Sequence, residues 1–266
     1  MHPERWVSLA LLGLACAPGP QGRGIPDPVA LEMLRAAIAA ATGVEPFRAV
    51  GRGRFTSEEG TLEGNLTVRS DPPDRAWIEF RTGALFGLVD ERVVIGLPGD
   101  DHVLVYRARE DVLDRFRFDE SAASRLGLWG GVATLQALAM GCIPWPNGVP
   151  PHDLEARTRS AGGAGRFAIA LEPETGPGEL VLEVHDHRIR RLTWRARGVV
   201  VVDVRYDRHA ISGSIDRPMR LRLRAPTARV EAEVEWERME VPARFEPTDF
   251  EVGERNPSWG RGVQGG

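Results

Sequence analysis

The sequence predicts a mainly β protein, built as one antiparallel domain with a helical insert in the middle of the chain. Three observations predict it. Stretches of alternating apolar and polar residues lie on both sides of a mid-chain region with helical spacing. The links between those stretches have the length and composition of hairpin turns. The strand–helix–strand rhythm of a parallel sheet does not occur. Neither half has enough strands to close by itself, so the two halves are expected to share one core.

The N-terminus reads as an address. Arg5 precedes the apolar run Trp6 to Ala15, which ends at Cys16. A basic start and a short apolar core are signal-peptide grammar, and the run is too short to span a bilayer. Cys16, with the small Ala15 before it, resembles the cleavage site of bacterial lipoproteins. That resemblance implies residues 1–16 as a lipoprotein signal whose Cys16 carries the lipid and becomes the mature N-terminus. Gly13 stands where such a site usually has Leu. Residues 17–26, rich in Pro and Gly, suit a flexible tether. Ala17 follows the cysteine, where an Asp would mark inner-membrane retention. The implied location is therefore the periplasmic face of the outer membrane.

Asp27 to Ala41 reads as a helix, with Asp27 as cap, Pro28 in the first turn, and an apolar stripe of Val29, Leu31, Met33, Leu34 and Ile38. Gly43 closes it. The period then changes to two, with strands expected at 48–55, 61–69, 75–81, 91–97 and 102–108. Leu62, Leu66 and Val68 alternate with Glu63, Asn65, Thr67 and Arg69, the pattern of a sheet with one buried face. Turn chemistry separates these strands at Glu58-Glu59-Gly60, Asp71 to Asp74 and Pro98 to Asp101.

Residues 109–140 break the alternation. Helical segments are expected at 110–116, 120–126 and 131–140, ended by the Pro/Trp cluster Ile143 to Gly148. Strands resume at 152–158, 165–172, 179–185, 188–195, 199–206, 217–225 and 228–237, with a tight turn at Asp186-His187. The domain is expected to run from 27 to 253, followed by a disordered tail over 254–266.

Composition narrows the function. The net charge is -4, and all 34 basic residues are Arg, dispersed among acidic ones, so nucleic acid is not an expected partner. Only Cys16 and Cys142 are present, which excludes a disulfide framework and a multi-thiolate metal site. Cys142 is expected as a buried, inert thiol. His185 and His187 could place two imidazoles on one strand face, but no third ligand lies nearby in sequence. A nucleophile elbow, a phosphate-binding loop and a zinc-protease helix are all missing, so no catalytic residue, metal or cofactor is expected. Gly51-Arg52-Gly53-Arg54 reads as a bend in a strand rather than a phosphate cradle.

Three stretches carry a resemblance to a known family. Asp74 to Leu88 is similar to a LolB strand followed by its apolar turn. Leu126 to Pro144 resembles the family's helix and the Trp–Gly–Pro segment after it. Val202 to Tyr206, with Arg217 to Leu221, resembles its late hairpin. In order of pattern, residues 45–250 resemble the LolA/LolB superfamily. The Leu85-Phe86-Gly87 spacing is one residue longer than the family's, and the C-terminal strands are additional.

The resemblance implies an open, unclosed β-barrel of about 11 strands with a helical lid inserted mid-chain over an apolar cavity. It also implies an outer-membrane lipoprotein that binds acyl chains or lipoproteins, in lipoprotein localisation or envelope lipid transfer, with a periplasmic carrier as partner. The alternative expectation is a structural lipoprotein using the same barrel to dock into an envelope complex. Leu85 takes the place of the family's membrane-inserting leucine, with Phe86 beside it. The same turn could instead fold under the lid. Leu135, Leu138 and Met140 are expected at the lid and cavity, where core packing is the other role open to them.

Overall fold

The computed structural model describes residues 24–58, 60–72, 75–82, 91–98, 102–107, 111–117, 131–145, 149–171, 178–212, 215–241 and 243–250. Cys16, the tether up to 23, Leu85, Phe86, the expected helix at 120–126 and the tail over 254–266 lie outside them.

The chain opens with helix α1 (Pro28–Ala40). Asp27 caps it by accepting a hydrogen bond from the Ala30 amide at 2.8 Å. Its buried face is Leu34, Ala37, Ile38 and Ala41, spaced three and four apart, and it packs on β9 and β10 of the sheet described next. Val29, expected in that stripe, is instead exposed, because the inward face begins one turn later.

Six strands then run in meander: β1 (Phe47–Ser57), β2 (Gly60–Asp71), β3 (Arg75–Thr82), β4 (Glu91–Pro98), β5 (His102–Arg107) and β6 (Val112–Arg117). After the insert, with α2 (Gly131–Ala139) and the single-turn α3 (Leu154–Arg157), seven more follow. These are β7 (Thr158–Ser160), β8 (Arg166–Ala170), β9 (Glu179–His185), β10 (Arg188–Ala196), β11 (Val199–Ser212), β12 (Ile215–Ala225) and β13 (Val230–Glu240). All pairs are antiparallel, and β13 returns to pair with β1, giving among the described residues one sheet of 13 strands with β6 and β7 at its edges. The described strands do not close into a barrel.

An open sheet of more than about ten strands curls or splits, and here it curls. Register shifts occur where β1 meets β13 at Val50/Gly51, where β10 meets β11 at Trp194/Arg195, and where β9 meets β10 at Ile189/Arg191. Such irregularities bend a strand and raise its twist. Gly51 stands at the first of them, which fits its reading as a bend. The concave face holds the main core, including Phe47, Trp194, Tyr206 and Leu34.

Two elements differ from expectation. Residues 112–117 form edge strand β6, where a helix was predicted over 110–116. The backbone pairs with β5 from His102↔Arg117 to Arg107↔Val112, and Tyr106 donates to the Asp111 carboxylate at 2.9 Å across the turn. Six residues are too few for periodicity to separate a strand from helical turns. The strand expected at 152–158 begins only at Thr158, because the preceding residues form α3, with Asp153 and Arg157 paired one turn apart. The described residues form 13 strands, beside twelve segments read from the alternation and about 11 implied by the resemblance.

The insert joins β6 to β7, and its described helix α2 lies over the concave face. Its far end is pinned. The Ile143 amide donates to the Ala41 carbonyl at 3.2 Å, the Cys142 thiol faces the Gly43 carbonyl at 3.4 Å, and Gly141 lies against Pro218 at positive φ. On the convex side, the segment ending in the short 3-10 turn Pro247–Phe250 covers β3. There Trp77, Tyr106 and Phe250 form a second small core, with the Arg69 guanidinium 4.4 Å over the Trp77 ring.

Candidate functional site: an apolar cavity

Alternation along β2 aims Leu62, Leu66, Val68 and Ser70 at the concave face, and β3 adds Ala76, Ile78 and Phe80. Phe47 and Phe55 of β1 lie at the two ends of this wall, and Leu221, Leu223, Val234 and Trp236 of β12 and β13 complete it. Helix α2 covers it with Leu135, Gln136, Leu138 and Ala139. These groups surround a cavity of about 400 Å³. That volume falls within the range of small-molecule sites, about 300–1,000 Å³.

Among the described residues the lining is hydrocarbon except for Ser70, Gln136 and the indole of Trp236, and no ionisable side chain contributes to it. One end is closed: Phe47, Ser70, Ala76 and Leu138 are all buried. The other end opens at the β1–β2 turn, where Leu62 is 53% exposed. Phe55 and Phe80 pack edge to face there, with ring centres 5.4 Å apart. A second recess beside them, of about 300 Å³, is rimmed by Thr56, Ser57 and Thr61.

Helix α2 is held on this wall by a polar contact. The Gln136 carboxamide donates from Nε2 to the Arg75 carbonyl at 2.9 Å. Leu135 and Leu138 line the cavity, Leu135 remaining 37% exposed. Met140 is fully buried in the core and is not part of the lining. Sequence reasoning found the alternating face of β2 but missed Ser70 and Gln136. The one signal for Ser70 was a small polar residue ending an otherwise apolar alternation.

The other chemistry-bearing residues lie apart from the cavity. Asp186 and His187 have φ of 50° and 58°, a type I′ hairpin turn, and the His185 side chain beside them is 73% exposed. Among the described residues, no group of three or more His, Cys, Asp or Glu side chains could hold a metal. Burial pushes the Cys142 thiol pKa up, against the pull of Arg217, and so disfavours a nucleophilic thiolate. No helix among the described residues is long and apolar enough to cross a membrane.

Fold and site together define a curled antiparallel sheet holding an open-ended apolar cavity under one helix. No protein-family model matches the chain, and no curated protein sequence does. Among solved structures it is similar to a domain assigned to outer membrane lipoprotein sorting from Vibrio parahaemolyticus, at 11% identity and a TM-score of 0.47, covering 83% of this chain and 95% of that one. It is similar to a DUF1329 family protein from Desulfovibrio piger, also at 11% identity and TM-score 0.47, covering 84% and 94%. It is likewise similar to a LolA superfamily protein from Nitrosomonas europaea, at 9% identity and TM-score 0.46, covering 84% and 97%.

Proposed function

We propose that the protein holds the hydrocarbon chain of a lipid, or of a lipidated protein, in the cavity between the sheet and α2. The observation that carries this reading is the chemistry of the wall: hydrocarbon side chains in series along β2 and β3, no ionisable group among the described residues, and one open end. Each methylene transferred from water into such a wall gains about 0.8 kcal/mol. Helix α2 acts as the lid, Leu135 and Leu138 touch the chain, and Met140 backs them from the core.

In the same reading the chain is an outer-membrane lipoprotein, anchored through Cys16 by the tether over 17–26 to the domain over 27–253. It receives its cargo from a periplasmic carrier, and Leu85 and Phe86 dip into the bilayer during transfer. It performs no covalent chemistry. Mass spectrometry of organic extracts from the purified full chain tests the central claim. Acyl lipids in near-stoichiometric amount are expected. An empty extract, together with no binding of the neutral fluorescent amphiphile N-phenyl-1-naphthylamine, would overturn it.

One observation favours a second reading, a docking role in an envelope complex. Strand β6 is a sheet edge with Val112 and Leu113 exposed, and an edge of that kind can accept an added strand from a partner.

A further inference from the structure

Two polar side chains sit at the closed end of an otherwise hydrocarbon cavity, and neither has its hydrogen-bonding capacity filled. Ser70 is 0% exposed and Gln136 is 4% exposed, and both line the cavity. Among the described residues, the Ser70 hydroxyl and the Gln136 Oε1 have no hydrogen-bond partner. The bond from Gln136 Nε2 to the Arg75 carbonyl fixes which end of the carboxamide is left over: it is the acceptor. Ser70 pairs with Ala76 across β2 and β3, and Arg75 is the next residue, so both groups belong to the same end of the cavity.

The bond to Arg75 accounts for the Gln136 Nε2, but packing a hydrocarbon accounts for neither the Gln136 Oε1 nor the Ser70 hydroxyl, because a buried polar atom without a partner is unfavourable. We propose that Ser70 and Gln136 form a head-group subsite, and that the cavity takes a single-chain amphiphile, inserted head first, whose small uncharged head carries a hydrogen-bond donor. This rests on the cavity reading above and names its ligand class.

The chemistry selects that class in three steps. Gln136 Oε1 only accepts, so the head must donate; an alcohol or a primary amide does, and an ester does not. Ser70 can donate in return after rotation about its single side-chain torsion to another staggered position. With no ionisable side chain among the described lining residues, a charged head would be left unpaired in an apolar setting. Space then sets the direction. The closed end is walled by the buried Phe47, Ala76 and Leu138, which favours a small head over a phosphoglycerol head or a protein. The tail of the amphiphile would run past Leu66 to the mouth at Leu62. The eight-residue step from Ser70 to Leu62 spans about 27 Å of strand.

The test is displacement of N-phenyl-1-naphthylamine from the full chain by three chains of equal length: dodecan-1-ol, dodecanamide and methyl dodecanoate. The alcohol and the amide are expected to bind roughly fivefold more tightly than the ester, the worth of one ordinary hydrogen bond. Ser70→Ala and Gln136→Met, singly and together, should erase that preference, so that the three affinities converge within each variant. Three equal affinities in the wild type would overturn the subsite, and this result needs no variant to fold. A preference that survives in Ser70→Ala and Gln136→Met would overturn it equally. A 1-lauroyl lysophospholipid binding as well as the alcohol would overturn the head-first direction. If none of the chains displaces the probe, it is the cavity reading that fails.

Discussion

Trp236 of β13 stands directly across from Gly51 of β1, at the point where the register of the two strands shifts. A Cβ on Gly51 would lie 2.1 Å from the Glu235 carbonyl oxygen, closer than any real contact. The bare backbone lets β13 approach where the sheet turns its corner, and the indole of Trp236 lies in the cavity wall beside it. Gly51→Ala should therefore destabilise the protein by about 1–3 kcal/mol, the usual cost of forced overpacking. Urea denaturation measures it. An unchanged midpoint would mean that the corner is not tight.

Filling the cavity separates binding from folding. Ala232 lines the cavity and is only half-buried, so a larger side chain there has room to enter the void. Ala232→Phe is expected to weaken N-phenyl-1-naphthylamine binding at least tenfold, about 1.4 kcal/mol, with little change in melting temperature. Full binding in this variant would place the ligand elsewhere.

Asp203 is a buried carboxylate on the convex face. Burial acts to raise its pKa. The hydrogen bonds from Arg191, at 2.6 and 3.1 Å, and from Thr193, at 2.9 Å, outweigh that and hold it below the usual carboxylate range. A depressed folded-state pKa contributes stability that is present above the unfolded value, about 3.9, and is lost as pH falls through the folded one. Asp203→Asn should destabilise the protein at pH 7 by about 1.5–3 kcal/mol, the range for hydrogen bonds to a charged group. It should also remove part of the acid loss below about pH 4. Chemical denaturation at pH 7 and pH 3 checks both; equal stability of the two proteins at pH 7 would contradict the assignment.

His209 behaves oppositely to a salt-bridged histidine. Burial, reinforced by Arg190 at 3.1 Å, lowers its pKa from 6.5 to about 4. The folded state therefore keeps it neutral while the unfolded chain takes up a proton. Its contribution is complete above pH 6.5 and declines as the pH falls towards 4. An NMR titration of the imidazole should show a midpoint near 4, and His209→Gln should flatten stability across that window. A midpoint near 6.5 would refute the burial argument.

Leu85 tests the membrane step. If the turn at 83–88 enters the bilayer, Leu85→Glu should abolish liposome binding of the unlipidated protein without lowering its melting temperature, since a charge resists burial in hydrocarbon. If the turn packs beneath α2 instead, the melting temperature should drop by several degrees while liposome binding persists. Measuring both on the same preparation decides between them.

Much of the local structure was legible in the sequence because it is set by neighbours in the chain. Asp27 and Pro28 start α1, alternation along 61–69 defines the inward face of β2, and Asp186-His187 makes the β9–β10 turn. The late hairpin was legible too, with Val204 facing Leu223 and Tyr206 facing Leu221. Only the tertiary structure decided that 112–117 is an edge strand, that β13 closes back on β1, and that the insert carries α2 onto β3. Each of these depends on pairing partners far away in sequence, whose hydrogen bonds and burial no local window contains. The cavity shows the same division. Its apolar wall follows from side chains alternating along each strand, whereas the presence of Ser70 and Gln136, 66 positions apart, in one lining exists only once α2 packs on the sheet.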